Sequence, residues 1–75
     1  MKALIEYVAK SLVDEPDQVS IREVQGNQST IFELKVAPED MGKVIGKQGR
    51  VAKAMRTLLK VSAARQGKRA ILEIV

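Results

Sequence analysis

Two glycines interrupt a helical pattern in the C-terminal half of the chain, and they constrain the fold more than any other feature. Residues 41–60 read MGKVIGKQGRVAKAMRTLLK, with apolar side chains spaced for helix on both sides of Gly46 and Gly49. Glycine takes positive φ without the penalty that a Cβ imposes. The spacing therefore predicts two helices joined by a turn of two residues.

The rest of the pattern predicts an α+β fold. Residues 2–14 carry apolar side chains at helical spacing, and residues 19–36 alternate between apolar and polar like a β-hairpin. A long helix over residues 50–66 ends before a capping glycine, and residues 69–75 read as a last strand. The order α-β-β-α-α-β predicts a three-stranded sheet packed against three helices, with its other face partly open.

The short helix before the glycines has a recognisable start. Pro38 suits a first helical turn, and the carboxylates of Glu39 and Asp40 complement the helix dipole there. Before Gly46 ends this helix, we expect three apolar side chains to point inward: Met41, Val44 and Ile45.

The long helix divides into two faces at about 100° per residue. Its polar face carries Arg50, Lys53, Thr57 and Lys60. The opposite face is the predicted core side, with Val51, Met55, Leu58, Leu59 and Ser62.

The chain contains no cysteine and no histidine. Disulfides, Cys/His zinc sites and imidazole acid–base chemistry are therefore excluded, and the hydroxyl groups have no histidine to activate them. The acidic cluster of Asp14, Glu15 and Asp17 flanks a proline and is better explained as a solvated helix end. We expect a protein that is not an enzyme and needs no metal or cofactor.

Length and hydropathy predict one soluble domain over residues 1–75. Glu6 and Lys10 interrupt the N-terminal apolar segment, and no run of about 18 apolar residues occurs. This pattern predicts a cytoplasmic protein without a membrane partner.

Charge is distributed unevenly along the chain. Residues 1–40 carry four basic and eight acidic side chains, whereas residues 41–72 carry nine basic and no acidic ones. Such asymmetry favours a polyanionic partner such as nucleic acid, although a solvated helix face would show the same pattern.

The glycine turn could hold a phosphate group. The second helix would direct its free N–H groups and its positive dipole end at the turn, beside Lys47 and Arg50. A P-loop is excluded because Gly42 and Gly46 enclose three residues rather than four, and a dinucleotide fingerprint would follow a strand. The alternative is that both glycines serve the turn alone.

The segment VIGKQGRVAKAM resembles the I-G-x-x-G signature of KH domains, and the element order matches their bacterial, type II arrangement. Over nearly the whole chain, the sequence resembles the small stand-alone KH proteins of bacteria, the KhpA-type RNA-binding family. The resemblance implies a clamp on single-stranded RNA at the loop and an adjoining apolar groove. Ala52 departs from the larger aliphatic residue common in KH domains. The implied RNA-binding residues are Val44, Ile45, Gly46, Lys47, Gln48, Gly49, Arg50 and Lys53.

The aromatic residues agree with an aliphatic groove. Tyr7 and Phe32 are the only aromatic side chains, and Phe32 alternates with apolar neighbours as a core residue does. Sheets that bind single strands by stacking need exposed rings, so that class of binder is disfavoured.

A smooth strip on the long helix suggests a partner protein. Ala54 and Val61 lie within about 40° of Arg50, next to Thr57. An exposed valine is common and need not bind anything. Because KhpA-type proteins pair with themselves and with a larger KH protein, the resemblance implies a homodimer or heterodimer through Ala54, Thr57 and Val61.

Two other functions fit parts of the pattern. A DNA-binding helix-turn-helix would place Arg50, Lys53 and Arg56 in a major groove, but its turn normally has three to four residues. A protein-interaction adaptor would leave the basic surface secondary. The leading expectation is a non-catalytic RNA-binding protein, acting as a post-transcriptional regulator or RNA chaperone.

Overall fold

Helices and strands alternate in the predicted order α-β-β-α-α-β. The computed structural model describes residues 1–75. Single 3-10 turns precede β1, α2 and α3, at Pro16–Gln18, Pro38–Asp40 and Lys47–Gly49. The main elements are α1 (Lys2–Leu12), β1 (Ser20–Gln25), β2 (Ser29–Lys35), α2 (Met41–Ile45), α3 (Arg50–Arg65) and β3 (Arg69–Ile74).

The sheet has β2 at its centre. It pairs antiparallel with β1 and parallel with β3, so β1 and β3 are both edge strands. Phe32 and Leu34 of β2 are buried under the helices, opposite Leu72 and Ile74 of β3. Because side chains alternate along a strand, the intervening residues face the open side, where Ile71 is 47% exposed. The predicted architecture is confirmed.

The core lies between the helices and the sheet. Phe32 is 1% exposed, as its alternation with apolar neighbours predicted. Every core member except Ala9 is a larger apolar residue. Nine buried side chains form this cluster: Ile5, Ala9, Phe32, Leu34, Val36, Val44, Met55, Leu59 and Leu72.

The predicted core face of α3 was partly wrong. Met55 and Leu59 are buried, but Leu58 is 49% exposed. The buried face also contains Ala52 and Ala63, at 3% and 0% exposure. These small side chains allow α3 to pack closely against the rest of the molecule, so the face is centred on Leu59 rather than between Met55 and Leu58.

The C-terminus of α3 closes as the sequence predicted. Gly67 takes φ 67°, and its N–H group donates to the carbonyl of Ala64 at 3.0 Å. The N–H group of Lys68 donates to the carbonyl of Ala63 at 2.9 Å. These two bonds form a Schellman motif, which turns the chain directly into β3.

α1 ends two residues earlier than predicted because its following backbone bonds elsewhere. Val13 is extended, and the N–H groups of Asp14 and Glu15 donate to the carboxylate of Asp40 at 3.3 and 3.1 Å. Asp40 is 1% exposed and precedes α2 at its N-cap, as the dipole argument predicted, but its carboxylate accepts these bonds from the end of α1 and none from its own helix. It therefore ties the end of α1 to the start of α2.

None of the helices has both the length and the hydropathy that a membrane crossing requires.

Candidate nucleic-acid interface

Gly46 ends α2 in a conformation that other residues rarely adopt. Its φ and ψ are 76° and 171°, a region occupied almost exclusively by glycine. A Cβ added at this position would lie 2.9 Å from the backbone nitrogen of Val51 and closer still to the Val51 side chain. Gly46 is therefore required by the packing of α2 against the start of α3.

The loop between the helices contains two consecutive left-handed residues. Gln48 has φ 58° and is the one non-glycine residue of the chain with positive φ, and Gly49 follows at φ 74°. The N–H group of Gly49 donates to the carbonyl of Gly46 at 3.1 Å and closes the turn. The two-residue turn predicted from the glycine spacing is confirmed.

The surroundings of Gly49 differ from those of Gly46. A Cβ added at Gly49 would meet no atom within 4 Å. The backbone of Gly49 therefore borders open space, where the polymer backbone of a ligand can approach closely.

The N-terminus of α3 points its positive dipole end at this open space. Gly49 is the N-cap, and no side chain accepts a hydrogen bond from the first turn, although the N–H group of Arg50 donates to the carbonyl of Lys47. Lys47, Arg50 and Lys53 are exposed, and none of them forms an ion pair. The positive end of the helix dipole and the unpaired cations together make this end of the molecule attractive to anions.

The apolar residues beside the loop have different positions from those predicted. Val44 is fully buried, whereas Ile45 is 37% exposed and does not point inward. α2 has only five residues and packs through Val44 and the half-buried Met41, so Ile45, 100° further round, faces outward. Ile45 thus supplies apolar surface next to the loop, whereas Val44 and Ala52 are buried.

Lys43 is basic but does not belong to the free cationic surface. Its ammonium pairs with Asp14, and it lies 3.5 Å from Oδ1 of Asp40. The hydrogen bond to Asp14 raises the pKa of Lys43, although partial burial opposes this effect. Burial by itself raises the pKa of Asp40, but the N–H groups of Asp14 and Glu15 and the Lys43 charge outweigh it, so the pKa is lowered.

Arg56 links α3 to the free edge of the sheet. Its Nε donates to the carbonyl of Leu72 at 3.3 Å, across the outer edge of β3. Lys53 and Lys60 are exposed one turn before and after it on the same side of the helix. From the sequence, Arg56 was assigned a role only in the DNA-binding alternative. Its contact with β3 could not be predicted from local pattern, because Leu72 is sixteen residues away.

The predicted partner strip is exposed on another side of α3. Ala54 and Thr57 are exposed, and Val61 is 50% exposed. Leu58 borders them and enlarges the apolar surface. We refer to Ala54, Thr57, Leu58 and Val61 as the α3 strip.

The loop from Gly46 to Gly49 joins α2 to α3, as the I-G-x-x-G signature of KH domains predicts. A family model described as KhpA/KhpB, KH domain matches residues 2–74. The chain belongs to the KhpA/KhpB KH-domain family. The resemblance predicted from VIGKQGRVAKAM is therefore confirmed.

Similar proteins of this family occur in several bacteria. The RNA-binding protein KhpA of Clostridium acetobutylicum is 64% identical over 75 residues, which is 100% of both chains. The RNA-binding protein KhpA of Clostridium perfringens is 59% identical, again over 100% of both. That of Aquifex aeolicus is 47% identical over 100% of this chain and 95% of its own length. No solved structure matched the chain.

Proposed function

We propose that this KhpA/KhpB-family protein binds single-stranded RNA through the loop Gly46–Gly49 and the groove beside it, without catalysing a reaction. The observation that carries the proposal is the open backbone at Gly49, bordered by unpaired cations and the positive dipole end of α3. The names of the relatives, RNA-binding protein KhpA, support RNA as the polyanion.

Each part of the site has a distinct role in this proposal. The backbone from Gly46 to Gly49 receives the sugar-phosphate chain, because no side chain at Gly49 keeps it at a distance. Lys47, Arg50 and Lys53 neutralise phosphates, and Ile45 offers an aliphatic wall to a base. Val44 and Ala52 are buried and belong to the core rather than to the surface that contacts RNA.

RNA is favoured over duplex DNA by the size of α2. In a helix-turn-helix, the first helix crosses the DNA backbone and supports the recognition helix. Here the first helix has five residues, and the connection is a single 3-10 turn with two left-handed residues. A short loop with an exposed glycine backbone suits a flexible single strand, which can adapt its shape to the loop.

The protein would act in the cytoplasm as a post-transcriptional regulator or RNA chaperone. We infer that it does so as a dimer, with itself or with a larger KH protein, through the α3 strip. The strip contains apolar surface at Leu58 and Val61, and it lies on a different side of α3 from Arg56. RNA and a partner chain could therefore be bound at the same time.

The double variant Lys47→Asp/Gln48→Asp tests the proposed function. Two carboxylates at the loop repel phosphates, so affinity for a mixed-sequence single-stranded RNA should fall by at least about tenfold at low salt. The fold should persist, because both side chains are exposed. Filter binding with single-stranded RNA and duplex DNA in competition measures the effect.

Three outcomes are informative. Loss of RNA binding with an unchanged melting temperature supports the proposal. Preference for duplex DNA in the wild-type protein would favour the helix-turn-helix alternative. Unchanged RNA binding by the double variant would contradict a clamp at this loop and favour an adaptor role.

A further inference from the structure

A cleft away from the glycine loop is lined only by polar residues and glycine. It has a volume of about 490 Å³ and lies between the hairpin turn of β1 and β2 and the turn from α3 to β3. None of its nine lining residues is hydrophobic. They are Gln25, Gly26, Asn27, Gln28, Ser29, Thr30, Gly67, Lys68 and Arg69.

The charge of this cleft is positive. Lys68 and Arg69 contribute two cations, and neither forms an ion pair. A single carboxylate, that of Glu23, hydrogen-bonds a lining side chain, accepting from Nε2 of Gln25 at 2.9 Å. Amide and hydroxyl groups complete the lining, so the cleft offers donors and charge but no hydrophobic side chain against which a base could pack. This chemistry fits a sugar-phosphate segment.

The cleft and the glycine loop lie at the two ends of α3. Gly49 precedes the first residue of the helix, and Gly67 follows its C-cap. A helix of 16 residues is about 24 Å long, which separates the two sites by more than one nucleotide.

A row of exposed cations connects the two ends. Lys53, Arg56 and Lys60 recur at spacings of three and four residues, so they share one side of α3. The hydrogen bond from Arg56 to Leu72 places this side next to the free edge of β3. β3 begins at Arg69, which lines the cleft. The row of cations on α3 and the free edge of β3 therefore both extend toward the cleft.

We propose that the cleft at the α3–β3 turn is a second backbone-binding site for the same RNA strand that the glycine loop holds. The inference rests on the proposed RNA-binding function and lengthens its footprint. A strand clamped at Gly46–Gly49 passes along Lys53, Arg56 and Lys60, and its phosphates reach Lys68 and Arg69. The cleft takes phosphate and sugar without reading bases.

The double variant Lys68→Ala/Arg69→Ala tests this site in the full-length protein. The probe is a fluorescent, mixed-sequence single-stranded RNA of about 12 nucleotides, titrated over a series of salt concentrations. Loss of two phosphate contacts should flatten the plot of log affinity against log salt by about 1.4. At about 50 mM salt, affinity should fall roughly tenfold.

Two other variants make the result specific. Lys2→Ala/Lys10→Ala removes two exposed cations of α1 and should change affinity and slope much less. Lys47→Asp/Gln48→Asp tests the glycine loop separately. If that variant loses RNA binding while Lys68→Ala/Arg69→Ala matches the α1 control, the cleft is not a binding site and the proposed function still holds.

Chemical shifts provide a readout independent of net charge. In the wild-type protein, backbone amide signals of Gly67, Lys68 and Arg69 should move during the RNA titration. Static signals at these three residues would overturn the inference, even if the double variant bound RNA more weakly.

Discussion

Gly46 and Gly49 have nearly equal φ values but different reasons for being glycine. At Gly46, the backbone nitrogen of Val51 excludes a Cβ, so the residue serves the helix junction. At Gly49, no atom would meet a Cβ, so only backbone conformation opposes a side chain. The turn therefore accounts for both glycines, for Gly46 through packing and for Gly49 through its left-handed backbone, and the RNA-binding proposal adds a use for the open space at Gly49.

Alanine substitutions should separate these two roles. Gly46→Ala should lower the free energy of unfolding by roughly 3 kcal/mol, because backbone strain and steric overlap add. Gly49→Ala should cost only about 1–2 kcal/mol, the strain of the left-handed conformation. Urea titrations of both variants measure the difference.

Gly42→Ala is the matched control. Gly42 lies inside α2, and a Cβ there would meet nothing within 4 Å, so the change should be neutral or stabilising. Equal losses for Gly46→Ala and Gly49→Ala would show that steric overlap with Val51 is unimportant.

Asp40 lies outside the glycine loop but stabilises the start of α2, the helix that ends at this loop. It is almost fully buried and accepts hydrogen bonds from the N–H groups of Asp14 and Glu15. The sequence pattern predicted the position of Asp40 before α2. It did not predict the hydrogen bonds to the end of α1, since these partners are 25 and 26 residues away. The sequence signal was a carboxylate before a short helix, which ordinarily indicates a local cap.

Acid should weaken the fold through Asp40. The pKa of Asp40 is lowered in the folded protein, so its ionised carboxylate adds to the free energy of unfolding. This contribution is present above the unfolded pKa of about 3.9 and is lost as pH falls through the lower folded pKa. Asp40→Asn should therefore lower the melting temperature by several degrees at neutral pH. Below about pH 4, the melting temperature of this variant should fall less steeply with pH than that of the wild type. Thermal melts across this pH range measure both effects.

Glu39→Gln provides the comparison, since this neighbouring carboxylate is exposed and accepts no hydrogen bond from another residue. Its melting temperature should stay close to that of the wild type. If Asp40→Asn gave the same curve as Glu39→Gln, the tie between α1 and α2 would be energetically unimportant.

At the scale of elements, α3 carries three surfaces. Its core face is centred on Leu59, its cationic side faces the edge of β3 through Arg56, and the α3 strip lies on the remaining side. Periodicity predicted the helix and most of the exposed residues. It misplaced Leu58 because a leucine favours the core, whereas the buried alanines carry little hydrophobic signal of their own.

Val61→Asp tests the α3 strip. A buried carboxylate at a dimer interface has no partner, so the variant should remain folded and become monomeric. Light scattering measures the mass of wild type and variant at equal concentration. Val24→Asp introduces the same charge at another exposed valine, on the open face of the sheet, and should leave the mass unchanged. An equal mass for wild type and Val61→Asp would remove the strip as an interface.

At the scale of the whole molecule, charge and topology act together. Of the nine basic residues between positions 41 and 72, only Lys43 is ion-paired. The glycine loop, the cationic side of α3 and the free edge of β3 follow one another along a molecule whose longest extent is 34 Å. An unpaired nucleic acid strand could therefore contact most of these cations at once.

The sequence predicted the order of elements and the antiparallel pairing of β1 with β2, but not the pairing of β2 with β3. Alternation in residues 19–36 is sufficient for a hairpin, because adjacent strands with a short turn pair antiparallel. The parallel pairing of β2 with β3 depends on how α2 and α3 return the chain to the sheet, which local pattern does not encode. The same limit explains why the cleft at the α3–β3 turn was not predicted, since its two walls are far apart in sequence.

We propose that the backbone from Gly46 to Gly49 binds an unpaired RNA strand, and amide chemical shifts test this binding most directly. Isotope-labelled protein is titrated at low salt with a mixed-sequence single-stranded oligoribonucleotide. The account predicts that the signals of these four residues move strongly and that added salt reverses the change. Absence of association, or association that leaves these four signals unmoved, would contradict it.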